Sequence, residues 1–190
     1  MAEAGARGPE RTRQRLLDEA CRLFALYSFA GTSLQMIADT LGVTKAAIYH
    51  HFKTRDEILT AVIHPAIADL RSMIATAEAQ KTPNARADVM LQGFVDLTVK
   101  HRRLIGMIGT DPGVTSALRA HDDIIDLLRK PAHLLGLDDS PAAEVSAIVI
   151  LAGIAGAASS PDLAHLGDEE LRQHLLAVGR RGLGLRVRRT

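Results

Sequence analysis

Residues 42–52 read GVTKAAIYHHF, and the order of residue types in this stretch decides how the rest of the chain is read. Gly42 stands where a helix can end in the left-handed conformation without a Cβ penalty. Thr44 follows at the place where a new helix needs an N-cap. Just upstream, residues 33–41 carry Leu34, Ile37, Ala38 and Leu41 on one helical face. A helix-turn-helix needs a small residue where its second helix crosses the first, a turn residue tolerant of positive φ, and an apolar residue that seals the pair. Ala38, Gly42 and Ile48 meet those three needs. Ile37, Val43 and Phe52 add apolar cover on the same inner side, and Val43 is expected to staple against Ile48.

With the inner side assigned, Lys45, Ala46, Tyr49, His50 and Lys53 face outward, because they recur three or four residues apart on the opposite side of the second helix and its end. This set suits duplex DNA. Lys45 and Lys53 can meet phosphates as point charges, Tyr49 and the hydroxyl of Thr44 can donate to phosphate oxygens, and the small Ala46 lets the helix approach base edges. His50 can reach a base or a phosphate, whereas His51 falls nearer the inner side and is expected to be structural. Thr32 and Ser33, at the start of the preceding helix, add hydroxyls beside free backbone N–H groups, an arrangement that attracts anions. A polar helix face is most often only solvated; the joint fit of turn, caps and outward set favours the DNA reading over that plainer account.

Composition agrees with an all-α fold. Of 190 residues 47% are apolar, yet there are only four Phe, two Tyr and no Trp, so Leu, Ile, Val and Ala must build the core. The net charge of +1 means that any attraction to nucleic acid is local rather than global. A single cysteine, Cys21, leaves no internal disulfide and is expected to fill space in the core. The polar start MAEAGARGPERTRQ has no signal-like apolar stretch, and the apolar run 145–158 falls short of the roughly 20 residues of a membrane span, so it is expected to be a buried helix.

Residues 1–11 are expected to be a flexible arm, followed by helix 1 from residue 12, with Leu16, Ala20, Leu23, Phe24 and Tyr27 at helical spacing and a break over residues 28–31. Thr54 and Glu57 have the form of a capping box and open a fourth helix that runs to about residue 79, with a possible bend at Pro65. Pro83 opens a helix to about residue 101, RLIGMIG is a short apolar piece, and Asp111, Pro112 and Gly113 make a turn. A helix over 116–128 is expected to be closed off by Pro131. Ser140 and Pro141 open the apolar helix 142–158, and a last helix over 168–181 places acidic residues first and arginines last.

The segment GTSLQMIADTLGVTKAAIYHHFKTRDEIL closely resembles the DNA-binding segment of the TetR family of bacterial transcriptional regulators, over roughly residues 11–69. Phe24, Thr32, Ser33, Ile37, Ala38, Gly42, Thr44, Lys45 and the run from Tyr49 to Phe52 stand where that family has the same or like residues. Where the family commonly ends helix 1 with glycine, this chain has Ser28, with the glycine displaced to Gly31; where it commonly has Lys at the start of helix 4, this chain has Arg55, expected to offer a planar fork for phosphate.

The resemblance implies a homodimer of about nine helices: a helix-turn-helix DNA-binding domain over 12–59, its motif at about 33–52, joined through helix 4 to an effector-binding and dimerisation domain over 60–190. It further implies operator DNA and a small-molecule effector as partners, no membrane, a cytoplasmic location and most often repression. An effector pocket is expected among Met73, Met90, Phe94, Leu97 and Met107, and a dimer interface at Ala147, Leu151, Ile154, Leu171 and Leu175; the alternative for both sets is ordinary core. No metal or cofactor is expected, since His101, His121, His133, His165 and His174 lie apart and form no HxxxH or HExxH spacing. The chain has no GxSxG and no phosphate-cradling glycine loop, so no enzyme is expected. A helical interaction module without DNA binding, or a small-molecule enzyme, remain the rival classes.

Overall fold

The computed structural model describes residues 8–119, 122–136, 138 and 140–185. Among them are ten α-helices and no strand: α1 Gly8–Gly31, α2 Leu34–Leu41, α3 Lys45–His51, α4 Arg55–Glu78, α5 Pro83–Lys100, α6 Arg102–Thr110, α7 Pro112–Arg119, α8 Asp122–Leu135, α9 Pro141–Ser159 and α10 Asp168–Gly182, with a single 3₁₀ turn at Pro161–Leu163. The boundaries follow local chemistry. Ser33, Thr44, Thr54, Thr82 and Ser140 each accept a backbone N–H from three residues on, so five helices begin on a side-chain cap. Gly42 sits at φ 67°, and the N–H groups of Gly42 and Val43 close the end of α2 on the carbonyls of Asp39 and Ala38.

Several expectations are corrected. Helix α1 begins by Gly8 rather than residue 12, so only residues 1–7 of the expected arm lie outside the described residues. The helix is interrupted at Ser28 alone and resumes to Gly31. In place of one helix over 116–128 there are α7 and α8, and Pro131 lies inside α8 instead of ending it. Pro131 is buried there, so packing of its ring holds the helix together despite the missing N–H. Val43 is 37% exposed and lines the same surface depression as Ile48, which is 1% exposed, so the cover Val43 gives at the start of α3 is partial.

The buried residues fall into two clusters. One holds α1, α2, α3 and the first turns of α4, and is completed by Leu104 and Met107 of α6 and Val114 and Leu118 of α7. The division expected between residues 59 and 60 therefore does not coincide with a break in apolar packing. The second cluster is built around α5, which lies against α4, α8, α9 and α10. Gly93 brings α5 close to α4: a Cβ there would stand 2.8 Å from the Cβ of Met73. Ion pairs Arg172–Asp96 and Arg180–Asp88 tie α10 to α5 along the same seam.

Helix α9 is not the buried helix expected from its composition. Ala147, Ile154 and Ala158 point into the chain, but Val145 and Val149 are 60% exposed and Ile148 is 50% exposed. Once Pro141 and Ser159 are included, α9 is long and apolar enough to cross a membrane by length and composition, as is α4; such helices also occur in the cores of soluble proteins. Both are packed here against other helices of the chain.

Candidate nucleic-acid interface

The candidate interface is built on α3. Thr44 holds its start by accepting the N–H of Ala47 at 3.3 Å, and Ile48 and Phe52, 1% and 5% exposed, seat it against α1 and α2. With that underside fixed, Lys45, Ala46, Tyr49, His50 and Lys53 are all exposed on one face. The Lys45 ammonium lies 5.7 Å from the Tyr49 ring centroid, a cation–π geometry that holds both groups at the surface. Lys53 donates from Nζ to the Tyr49 carbonyl at 2.6 Å, closing the C-terminal end of α3 where free carbonyls carry partial negative charge. His51 is half-buried between α3 and α1, with its ring 5.8 Å from that of His50, as expected of a packing residue.

Ser33 is exposed at the start of α2, accepting the N–H of Met36 at 3.1 Å. Thr32 beside it is different. Its side chain is buried, and its hydroxyl lies 3.2 Å from the carbonyl of Leu23 and 2.8 Å from that of Ser28. The expected phosphate-facing role of the Thr32 hydroxyl is thereby corrected, because its hydrogen is committed inside the head.

Arg55 is corrected in the same way. Its Nη1 donates to the carbonyls of Phe29, Ala30 and Thr32 at 3.0, 2.9 and 2.8 Å, and its guanidinium stacks 5.2 Å from the Phe29 ring. Arg55 is a cap on the end of α1 supplied by the first residue of α4.

Two arginines were missed. Arg15, exposed near the start of α1, lines a shallow depression together with Val43, Ala47 and His51, so it stands beside the first turns of α3. Arg13 stacks on Phe52 with its guanidinium 5.1 Å from the ring centroid. The signal available was the run RTRQR, which reads as one more polar helix face until the fold brings it next to α3.

Away from α3, a cavity of about 350 Å³ lies between α4, α7 and α8. Leu59, Ile63, Ile67, Leu118 and Ile124 form its apolar walls, and Thr60, His64 and Arg71 contribute polar groups. None of the five expected pocket residues lines it. Met73, Met90 and Leu97 are packed into the second core cluster with Phe94 half-buried against it, and Met107 completes the first. They are core because helices α4, α5 and α6 turn them toward other buried apolar side chains. The expected interface set is corrected likewise: Ala147, Ile154, Leu171 and Leu175 are buried within the chain, and Leu151 is half-buried. Among the described residues no group of three or more His, Cys, Asp or Glu side chains could hold a metal ion, and His121 lies outside them.

Comparison with known proteins gives a consistent result. Residues 16–62 match the family described as bacterial regulatory proteins, tetR family. Over 123 residues the chain is 30% identical to the HTH-type transcriptional regulator SrpR of Pseudomonas putida, a match covering 55% of this chain and 58% of that protein. It is 25% identical over 140 residues to the HTH-type transcriptional repressor AcnR of Corynebacterium diphtheriae, covering 68% and 70%. In fold it is similar to the ketosteroid transcriptional regulator KstR2 of Mycobacterium tuberculosis, with a TM-score of 0.71 at 15% identity over 91% of this chain and 93% of that one. The relatives are named as transcriptional regulators and none of these as an enzyme.

Proposed function

We propose, from the amino-terminal match to the TetR family of bacterial regulatory proteins, that this chain is a cytoplasmic, sequence-specific DNA-binding repressor of that family that acts as a homodimer and answers to a small-molecule effector. The observation that carries the DNA reading is the exposed face of α3, where Lys45, Ala46, Tyr49, His50 and Lys53 stand clear of a seated apolar underside. Phosphate contacts from Lys45, Lys53, Ser33, Thr44 and Arg15 supply affinity and register, and Ala46, Tyr49 and His50 meet base edges. Two copies of α3 placed about 34 Å apart read successive major grooves.

Dimerisation is assigned to the bare side of α9 and α10, where Val145, Ile148, Val149 and Val178 are each at least half exposed. Two such helices from each protomer form a four-helix contact about a twofold axis. The effector is assigned to the cavity beside α4. Its apolar walls and few polar groups fit a small amphipathic molecule, and its location against the helix that carries the head gives a direct route from occupancy to head position.

The test is a Lys45→Ala, Tyr49→Ala double variant measured against a duplex that the wild-type protein selects from a random pool. The expected result is at least tenfold weaker binding, with a shallower dependence on salt because one phosphate contact is gone. Unchanged affinity and unchanged salt dependence would overturn the assignment of α3 as the reader.

A further inference from the structure

From the contacts around Phe29 we infer that Asp111 is a positioning residue for DNA reading: it fixes the angle of the head on the body by holding the Phe29 peptide. This rests on the proposed DNA-binding function and names a device that acts on it.

Three observations meet at this one residue. Ser28 takes φ 66° and ψ 163°, a region that residues with a Cβ scarcely enter, and so interrupts α1 just before Phe29. The Phe29 N–H thus points away from the helix, and the buried carboxylate of Asp111 accepts it through Oδ2. The other oxygen of the same carboxylate, Oδ1, accepts the Gly113 N–H at 2.8 Å and the Val114 N–H at 3.4 Å, starting α7. On the opposite side, the Phe29 carbonyl and ring are held by Arg55, the first residue of α4.

Phe29 is accordingly gripped by the α6–α7 junction through its N–H and by the linker helix through its carbonyl. Any relative shift between α4 and the α6–α7 junction must be taken up at this peptide. Gly113 makes the grip possible, since a Cβ there would stand 3.3 Å from the Phe29 ring. Head orientation decides the separation of two α3 helices in a dimer, and separation decides which half-site spacing is read.

Asp111→Asn separates the two jobs of the carboxylate. Asparagine caps a helix about as well as aspartate and can keep an oxygen on Gly113, but its amide then turns a donor toward the Phe29 N–H. The wild-type duplex selected from a random pool is compared with the same duplex carrying one extra base pair between its half-sites, which moves them about 3.4 Å apart along the axis and rotates one against the other. Wild type is expected to prefer its own spacing at least tenfold, and D111N to reduce that preference several-fold while hydrogen exchange at the Phe29 amide quickens. A lost phosphate contact or general destabilisation lowers both affinities alike and leaves the ratio unchanged.

Arg55→Lys, which keeps the charge but loses the fork on the other side of Phe29, is the second variant and carries the test if D111N does not fold. Spacing preference retained in the folded variants overturns the role of Asp111. A wild type that selects no paired half-sites overturns instead the DNA-reading dimer itself, and with it this inference.

Discussion

The hydroxyl of Thr32 lies 3.2 Å from the carbonyl of Leu23, nine residues upstream, and 2.8 Å from that of Ser28. A residue at the mouth of the candidate DNA face thus faces the inside of the head, where its hydroxyl is bound to backbone carbonyls of α1. Thr32→Val keeps the shape and removes the donor. It is expected to lower unfolding stability by about 1–3 kcal/mol in urea titration, the range for a buried polar group left unpaired. The salt dependence of DNA binding should stay as in wild type, because no phosphate contact is lost; a shallower slope would return Thr32 to the interface.

Ser28 gives the opposite sign. Its backbone conformation costs a residue with a Cβ about 1–3 kcal/mol, and glycine recovers most of that at an entropic cost of about 0.5–1 kcal/mol. The exposed bond from the Gly31 N–H to the Ser28 hydroxyl is lost as well. Ser28→Gly is therefore expected to raise the urea midpoint by an amount worth about 1 kcal/mol, whereas Ser28→Ala keeps the strain and gains nothing. Equal midpoints for the two variants would show that no strain is stored there.

In the proposed dimer, the two faces of α9 and α10 separate assembly from folding. Val149→Arg places a charge on a side chain that is 60% exposed in the single chain, so its thermal unfolding at high dilution should match wild type while sedimentation shows loss of the dimer. Leu171→Ala, at a side chain only 2% exposed, should instead destabilise each protomer by about 2–5 kcal/mol. If V149R remains dimeric in sedimentation, the contact lies on another surface.

Asp69 supplies an acid-sensitive tie between α4 and α5. Its carboxylate accepts from His101 and Lys100 at 2.7 and 2.8 Å, and these bonds hold its pKa below the ordinary value, His101 contributing most. A carboxyl with a lowered folded-state pKa is protonated more readily in the unfolded chain. Its contribution is present above about pH 4 and fades as pH falls through the lowered folded value. Urea midpoints of wild type and Asp69→Asn should accordingly differ at pH 7 and converge toward pH 3; a gap that widens on acidification would reverse this account.

The caps were legible in sequence because each one closes within three residues: Ser33 with Met36, Thr44 with Ala47 and Thr54 with Glu57. The outward face of α3 followed from the same local register. Thr32 and Arg55 were misread because their partners lie four to 26 residues away, and residue type alone does not tell a hydroxyl or guanidinium bound to carbonyls from one bound to phosphate. An almost wholly apolar helix such as α9 has no polar stripe, so periodicity could not separate Ala147 and Ile154, which face inward, from Ile148 and Val149, which do not. For Met73 and Met90 the residue type fits a filled core and a pocket wall equally well, and only the neighbours decide.

The head's apolar cluster does not close on itself. A cut after residue 59 would leave behind Ile63 and Ala66, and would strip Leu104, Met107, Val114 and Leu118 from the surface they cover. The DNA-reading end is consequently not a cassette that can be lifted onto another regulator by joining chains within α4. A graft that works must carry matching α6 and α7 surfaces with it, and divergence in the carboxy-terminal half is constrained wherever those two helices touch the head.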